Sequence, residues 1–282
     1  MPRRDDWIER PRKSAFIKRF PSQIANGEWC PGFDSASPGF GCSHDCKTCF
    51  MHRLRRGRMA RPNEIYTNVE AIRREVLKWQ TKHGDSPRMI GFGSETTDII
   101  ADRLRYEAAW GISPEDLLVE LFEGKAQSAF VLTKGANLEW WATHDPIPNL
   151  VLTASVNGSS ARDEWEQDTP PMAARLRALS AAMRKGWRVR VRVDPLQEHL
   201  PDFAEDLQAV CRWIQEYPVE RVTCGVLRVR KVPVVNVDRQ VAAVKTLIDA
   251  LGPKGELVAT CKTHLPVLDR LGLNGRRCNC ML

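Results

Sequence analysis

A chain of 282 residues, with 43% hydrophobic and 27% charged positions, is long enough to bury a full core as one large domain or two small ones. No run approaches the roughly 20 apolar residues that cross a bilayer, and the opening MPRRDDWIERPRK has no apolar signal core, so a cytosolic protein with no membrane partner is expected. The 42 basic against 35 acidic residues leave +7, which permits a polyanionic partner, and nine cysteines, an odd count, read as metal ligands rather than a disulfide framework in a reducing compartment.

Residues 1–27 read as an N-terminal extension. A short strand is expected near Glu28 to Asp34, and after it GFGCSHDCKTCFMHR, Gly39 to Arg53, spaces Cys42, Cys46 and Cys49 as Cys-x3-Cys-x2-Cys. MHRLRRGRMARP then carries Arg53, Arg55, Arg56, Arg58 and Arg61 with no acidic residue, either a solvated face or a phosphate-contacting surface. From about residue 65 helical and strand patterns alternate. NVEAIRREVLKWQ reads as a helix and RMIGFG as a strand, and DIIADRLRYEAAW and SPEDLLVELFEG read as helices. The last of these opens on a Ser-x-x-Asp cap with proline at its first position. AFVLT, LVLTASV, WRVRVRVD and RVTCGVLRV are the later strands, separated by the helices NLEWWATH, PPMAARLRALSAAMRKG and DFAEDLQAVCRWIQEY and closed by VDRQVAAVKTLIDALG.

Six βα units are too few for a closed eight-stranded barrel and sufficient for an open, curved one. The expected fold is therefore α/β, a partial (β/α)6 barrel over 28–253, with a cysteine-containing extension over 254–282. In such folds the reactive groups stand at the C-terminal strand ends, here GSETTD, TKGAN, SVNGSS, DPLQEH and RVRK. WRVRVRVD alternates Arg188, Arg190 and Arg192 with valines. Parallel strands are usually apolar on both faces, so the valines are expected against the helices and the arginines inside the barrel; an edge strand with solvated arginines is the competing reading.

Structural zinc takes four ligands, usually as two spaced pairs. Three cysteines on one loop, without a companion pair nearby, suit a 4Fe-4S cluster that leaves one iron open. His44, inside the loop, is a rival ligand or a surface histidine.

With these features the sequence resembles the radical S-adenosylmethionine superfamily, and within it the spore photoproduct lyase-like branch, from roughly Gly39 to Arg230. The resemblance rests on the cysteine spacing and on three strand ends in order: SETTD (Ser94 to Asp98), Thr133-Lys134 and Ser155-Val156-Asn157. Thr48 stands where the family often has an aromatic. The resemblance implies a partial barrel of the radical S-adenosylmethionine type and S-adenosylmethionine bound at the open iron. It also implies an electron donor such as flavodoxin or ferredoxin, and reductive cleavage to a 5′-deoxyadenosyl radical. It assigns Lys134 to the methionyl carboxylate and Ser155 and Asn157 to the cofactor's polar groups. Glu95 stands where the lyase keeps a hydrogen-donating cysteine; it also resembles the acidic acceptor for the methionyl amino group. Cys224 is the substitute hydrogen donor the chain offers, apolar filler being its other reading, and with three tyrosines no tyrosine relay is evident.

Towards the end of the chain Cys261, Cys278 and Cys280 suggest an auxiliary metal site, completed by His264, Cys30 or Cys211, or free thiols. Trp140 and Trp141 read as core. The preferred function is radical chemistry on DNA, RNA or a nucleotide, with the basic run on its phosphates. The rivals are the same chemistry on a small molecule or peptide, and a zinc-stabilised nucleic-acid-binding module without catalysis.

Overall fold

The computed structural model describes residues 7–26, 28, 30–44, 46–47, 49, 62–94, 96–200, 202–226, 236–261, 263 and 265–273. Glu95, Arg53, Arg55, Arg56, Arg58, Arg61, Thr48, His264, Cys278 and Cys280 lie outside them.

The chain opens with β1 (Trp7–Arg10), β2 (Ile17–Phe20), β3 (Phe33–Ala36), β4 (Gly39–Phe40) and β5 (Asn63–Tyr66). The expected first strand starts only at Phe33, because Pro31 lacks an N–H and Gly32, at φ 79°, turns the chain where a side chain would strike the Phe20 carbonyl. Helix α1 (Val69–His83) leads to β6 (Met89–Phe92), then α2 (Arg103–Trp110), α3 (Pro114–Phe122) and β7 (Ser128–Thr133). α4 (Glu139–Thr143), β8 (Leu150–Ser155), α5 (Ser159–Trp165) and α6 (Met172–Lys185) follow. β9 (Arg188–Leu196), α7 (Phe203–Glu216), β10 (Arg221–Val226), α8 (Val237–Leu251), β11 (Val258–Thr260) and α9 (Leu265–Leu271) complete the described chain.

Eight strands form one curled sheet in the order β11-β10-β9-β8-β7-β6-β3-β2, parallel throughout except for β2 against β3. The architecture is thus the expected partial barrel, with β2 and β11 added at its edges. β1 and β4 flank β5 in a second, three-stranded sheet. Its antiparallel pairs Gly39↔Ile65 and Phe40↔Glu64 close the base of the cysteine-bearing segment.

The two faces of the large sheet differ in chemistry. Val189, Val191 and Val193 are at most 3% exposed and join Ile90, Leu150, Leu152 and Val222 in the main core under the helices. On the inner face Arg190 stands in register with Thr153, and Arg192 with Ser155 and Thr223. β9 lies between β8 and β10 and is no edge strand. Its arginines are held by carboxylates: Arg190 Nε donates to Glu220 at 2.6 Å and Arg192 pairs with Asp194. Each guanidinium is therefore matched before any ligand arrives. Trp140, Trp141 and Trp187 form a core cluster, with the Trp141 and Trp187 rings 4.7 Å apart.

The Ser113 cap forms as expected, its side chain accepting from Asp116 N–H. Beside it Glu115 is fully buried, and burial pushes its carboxyl up to about 7 from an ordinary 4.5. The folded state then holds this proton more tightly than the unfolded chain, so the group's contribution is complete below about pH 4.5. It is lost, to the extent of about 3 kcal/mol, as pH rises through 7. Denaturant titrations from pH 5 to 8 are expected to show that slope in the wild type and a flatter profile in Glu115→Gln.

Candidate active site at the cysteine loop and the strand ends

The described part of the cysteine loop leaves β4 and is fastened to the segments that follow the central strands. Gly41 N–H donates to Thr96 O at 2.7 Å, and Thr96 Oγ1 to Gly39 O at 2.8 Å. Ser43 N–H donates to Asp102 Oδ2 at 3.1 Å, and Lys47 N–H to Trp165 O at 2.8 Å. His44 spans two elements, with Nε2 3.5 Å from Asp98 Oδ2 and Nδ1 donating to Asp168 O at 3.3 Å. Burial alone would lower the His44 pKa; the hydrogen bond and charge of Asp98 outweigh it and hold the imidazole above its ordinary value.

Asp98 is a junction. Its Oδ2 also accepts from Thr133 Oγ1 at 3.1 Å and Lys134 N–H at 2.8 Å, while Oδ1 accepts from Ala101 N–H at 2.9 Å. That last bond turns Ile99 to Ala101 out of helical form, so α2 is shorter than the pattern DIIADRLRYEAAW suggests. Burial pushes Asp98 up, but His44 reverses the balance and holds it below the usual carboxylate range. Asp102, without such a cation in contact, is pushed to about 6 by burial.

Cys42, Cys46 and Cys49 are all free thiols. The Cys49 N–H donates to Cys46 O at 2.9 Å, which turns the loop between them. Burial raises the Cys42 thiol well above its ordinary value, with Asp98, Asp102 and the two sister thiols adding to it. Cys46 is pushed to about 12, again chiefly by burial, with Lys134 pulling the other way. Cys42 and Cys46 are thus disfavoured as bare thiolates, and three cysteines on one loop are a donor set whose chemistry fits a multi-iron cluster, whose cations would stabilise thiolates. Among the described residues no group of three or more His, Cys, Asp or Glu side chains is placed to hold a metal ion.

Next to the loop, at the ends of β7 and β8, stands a second buried group. Lys134 Nζ lies 2.5 Å from Glu166 Oε1, which also accepts from Asn157 Nδ2 at 2.9 Å. Arg175 Nη1 donates to Glu166 Oε2 at 2.9 Å and to Ser155 O at 3.2 Å. Glu166 is 0% exposed. Burial pushes its carboxyl up, yet Lys134 and Arg175 together hold it below its ordinary value. Lys134, Ser155 and Asn157, singled out from the sequence, are thus brought together. Glu166, Arg175, Asp98 and Asp102 were missed; the one signal for Asp98 was its place at the end of SETTD. Asn157 Oδ1 and Ser94 Oγ are buried without a hydrogen-bond partner.

Other candidates lie elsewhere. Cys224 is 0% exposed in the main core, on the helix side of β10, and burial pushes its thiol far up. A thiol facing away from the inner surface fills apolar space, which corrects the reading of Cys224 as a hydrogen donor. Cys211 lies in the same core on α7, and Cys261 is 7% exposed at the end of β11, its N–H donating to Cys224 O at 2.8 Å.

An open parallel half-barrel, with a three-cysteine loop fastened to the segments that follow its central strands, is the architecture that the sequence resemblance implies. Solved structures with this fold include spore photoproduct lyase complexed with dinucleoside spore photoproduct, at TM-score 0.61 and 15% identity over 88% of this chain and 66% of that one. A mutant of that lyase with bound AdoMet and dinucleoside spore photoproduct superposes at TM-score 0.60 with 14% identity and the same coverage. SuiB from Streptococcus suis, bound to S-adenosylmethionine, superposes at TM-score 0.58 and 13% identity over 83% of this chain and 51% of that one. The chain thus spans about two thirds of the lyase and half of SuiB. At such identities the likeness is one of fold: an open half-barrel like that of spore photoproduct lyase and SuiB. No protein-family model and no curated protein matches the sequence.

Proposed function

We propose that the chain is a radical S-adenosylmethionine enzyme acting on a nucleic acid or nucleotide. The observation that carries this reading is the three-cysteine loop tied, through Lys47 N–H to Trp165 O, beside the Lys134–Glu166–Asn157 group at the strand ends of the half-barrel. Cys42, Cys46 and Cys49 would hold a 4Fe-4S cluster. When bound, a cluster reduced by an external one-electron donor would supply the electron for cleaving S-adenosylmethionine to methionine and a hydrogen-abstracting 5′-deoxyadenosyl group.

The chain's own residues orient and exclude. Lys134 Nζ carries three hydrogens, and with one on Glu166 the side chain, 21% exposed, retains donors for a methionyl carboxylate. Asn157 Oδ1 and Ser94 Oγ offer buried acceptors, and Glu95 is assigned the amino group on the sequence resemblance alone. The run Arg53, Arg55, Arg56 and Arg58, with no acidic residue among them, would supply positive charge for a phosphate backbone. Three of the solved structures with this fold hold a dinucleoside spore photoproduct, which supports a nucleotide-like substrate.

A gel-shift series with single-stranded and duplex DNA and RNA tests the substrate class. The dissociation constant is expected to weaken more than about tenfold between 50 and 200 mM salt, and Arg55→Ala/Arg56→Ala to reduce the salt slope by about two. Absence of binding in a protein that still forms 5′-deoxyadenosine would replace nucleic acid with a small molecule or peptide. Zinc in place of iron and sulfide would favour the non-catalytic module.

A further inference from the structure

Several buried polar groups are unclaimed by this account. Both amide atoms of Gln197 lack partners, and its small cavity beside Asn157 and Leu200 has room for about one water. Glu115 is buried against Arg103. The segment after α5 carries more. Within four residues Trp165 O accepts from Lys47 N–H at 2.8 Å, Glu166 takes Lys134 and Asn157, and Asp168 O accepts from His44 Nδ1 at 3.3 Å.

The same short segment therefore grips the cysteine loop with its backbone and the strand-end residues with its one buried carboxylate. Arg175, 1% exposed, anchors that carboxylate from α6 and reaches Ser155 O as well. Two cations and one carboxylate leave this group with a net positive charge facing Cys46, which suits an anionic thiolate-ligated neighbour.

We infer that Glu166 is a positioning residue: it fixes the Lys134 ammonium and the Asn157 amide in the geometry that receives the cofactor's carboxylate and amino groups, and couples that geometry to the cysteine loop. The inference rests on the proposed function, since it takes S-adenosylmethionine as the ligand. A carboxylate between two donors fixes an otherwise flexible lysine stem, so the entropy cost of ordering it falls on folding and not on binding.

Reconstituted protein, assayed by equilibrium dialysis with S-adenosylmethionine and by iron content, supplies the test. Glu166→Gln is expected to weaken S-adenosylmethionine binding about tenfold with iron content unchanged, and Glu166→Asp to recover most of the loss. In a Lys134→Met background, Glu166→Gln should weaken affinity by clearly less than about tenfold, because only its hold on Asn157 remains to be lost. Equal weakening in both backgrounds, or unchanged affinity in Glu166→Gln with Lys134 present, would overturn the inference. Should the single Glu166→Gln variant not fold because Arg175 loses its carboxylate, Glu166→Gln/Arg175→Gln is compared with Arg175→Gln alone, and unchanged affinity between these two would again overturn it. Failure of the wild type itself to bind S-adenosylmethionine would sink the proposed function, a result distinguishable from either of these.

Discussion

Cys46→Ala is expected to leave a folded protein without a cluster. The thiol is 5% exposed and small, so its loss costs the fold on the order of 1 kcal/mol. Its loss from the trio leaves two ligands on the loop, Cys42 and Cys49. Iron and sulfide content, the brown absorbance and 5′-deoxyadenosine formation should all disappear together, while the thermal midpoint of the apoprotein moves by only a few degrees. Cys211→Ala is the matched control: its thiol is equally hidden but lies in the core on α7, so the cluster should remain. An intact spectrum in Cys46→Ala, or a lost one in Cys211→Ala, would contradict the ligand assignment.

Arg175→Met is expected to produce the largest loss of stability. The guanidinium is buried and answers the Glu166 carboxylate, the carbonyls of Ser155 and Pro170, and the Thr169 hydroxyl. Its loss takes this donor from the Ser155 and Pro170 carbonyls and the Thr169 hydroxyl and leaves Glu166 with Lys134 alone, which costs about 3–5 kcal/mol, or about 10 °C in melting temperature for a domain of this size. Lys185, paired with the 94% exposed Asp145, offers the contrast: Lys185→Ala should change stability by under about 1 kcal/mol. Denaturant melts of the two variants side by side decide whether the buried group carries the stability assigned to it.

The sheet was legible because its signals are local. Val189, Val191 and Val193 alternating with arginines fix which face of β9 meets the helices, and the βα alternation fixes the parallel order. The cysteine spacing is likewise contained in eight residues. Glu166 is the opposite case. Its meaning depends on Lys134, Asn157 and Arg175, which the fold converges and no periodicity joins. α5 gives no helical signal either, since it runs for seven residues between Gly158 and the turn that ends at Pro170-Pro171. β11 and β2 were read as parts of extensions because three- and four-residue strands are too short to show alternation, and only pairing with β10 and β3 stabilises them.

Cys224 shows how a residue type can mislead. A cysteine near a strand end invites a chemical role, yet the parity of β10 points it towards Val222 and the helix-side core, whereas Thr223 shares the inner face with Arg192. One position along the strand decides between filler and reagent.

The most direct measurement is anaerobic reconstitution with iron and sulfide, followed by S-adenosylmethionine and a strong reductant and quantification of 5′-deoxyadenosine. The account predicts uptake of about four irons per chain and formation of 5′-deoxyadenosine with methionine in equal amounts, both lost in Cys46→Ala. A chain that instead retains zinc, or that holds a cluster and leaves S-adenosylmethionine uncleaved under reduction, would contradict it.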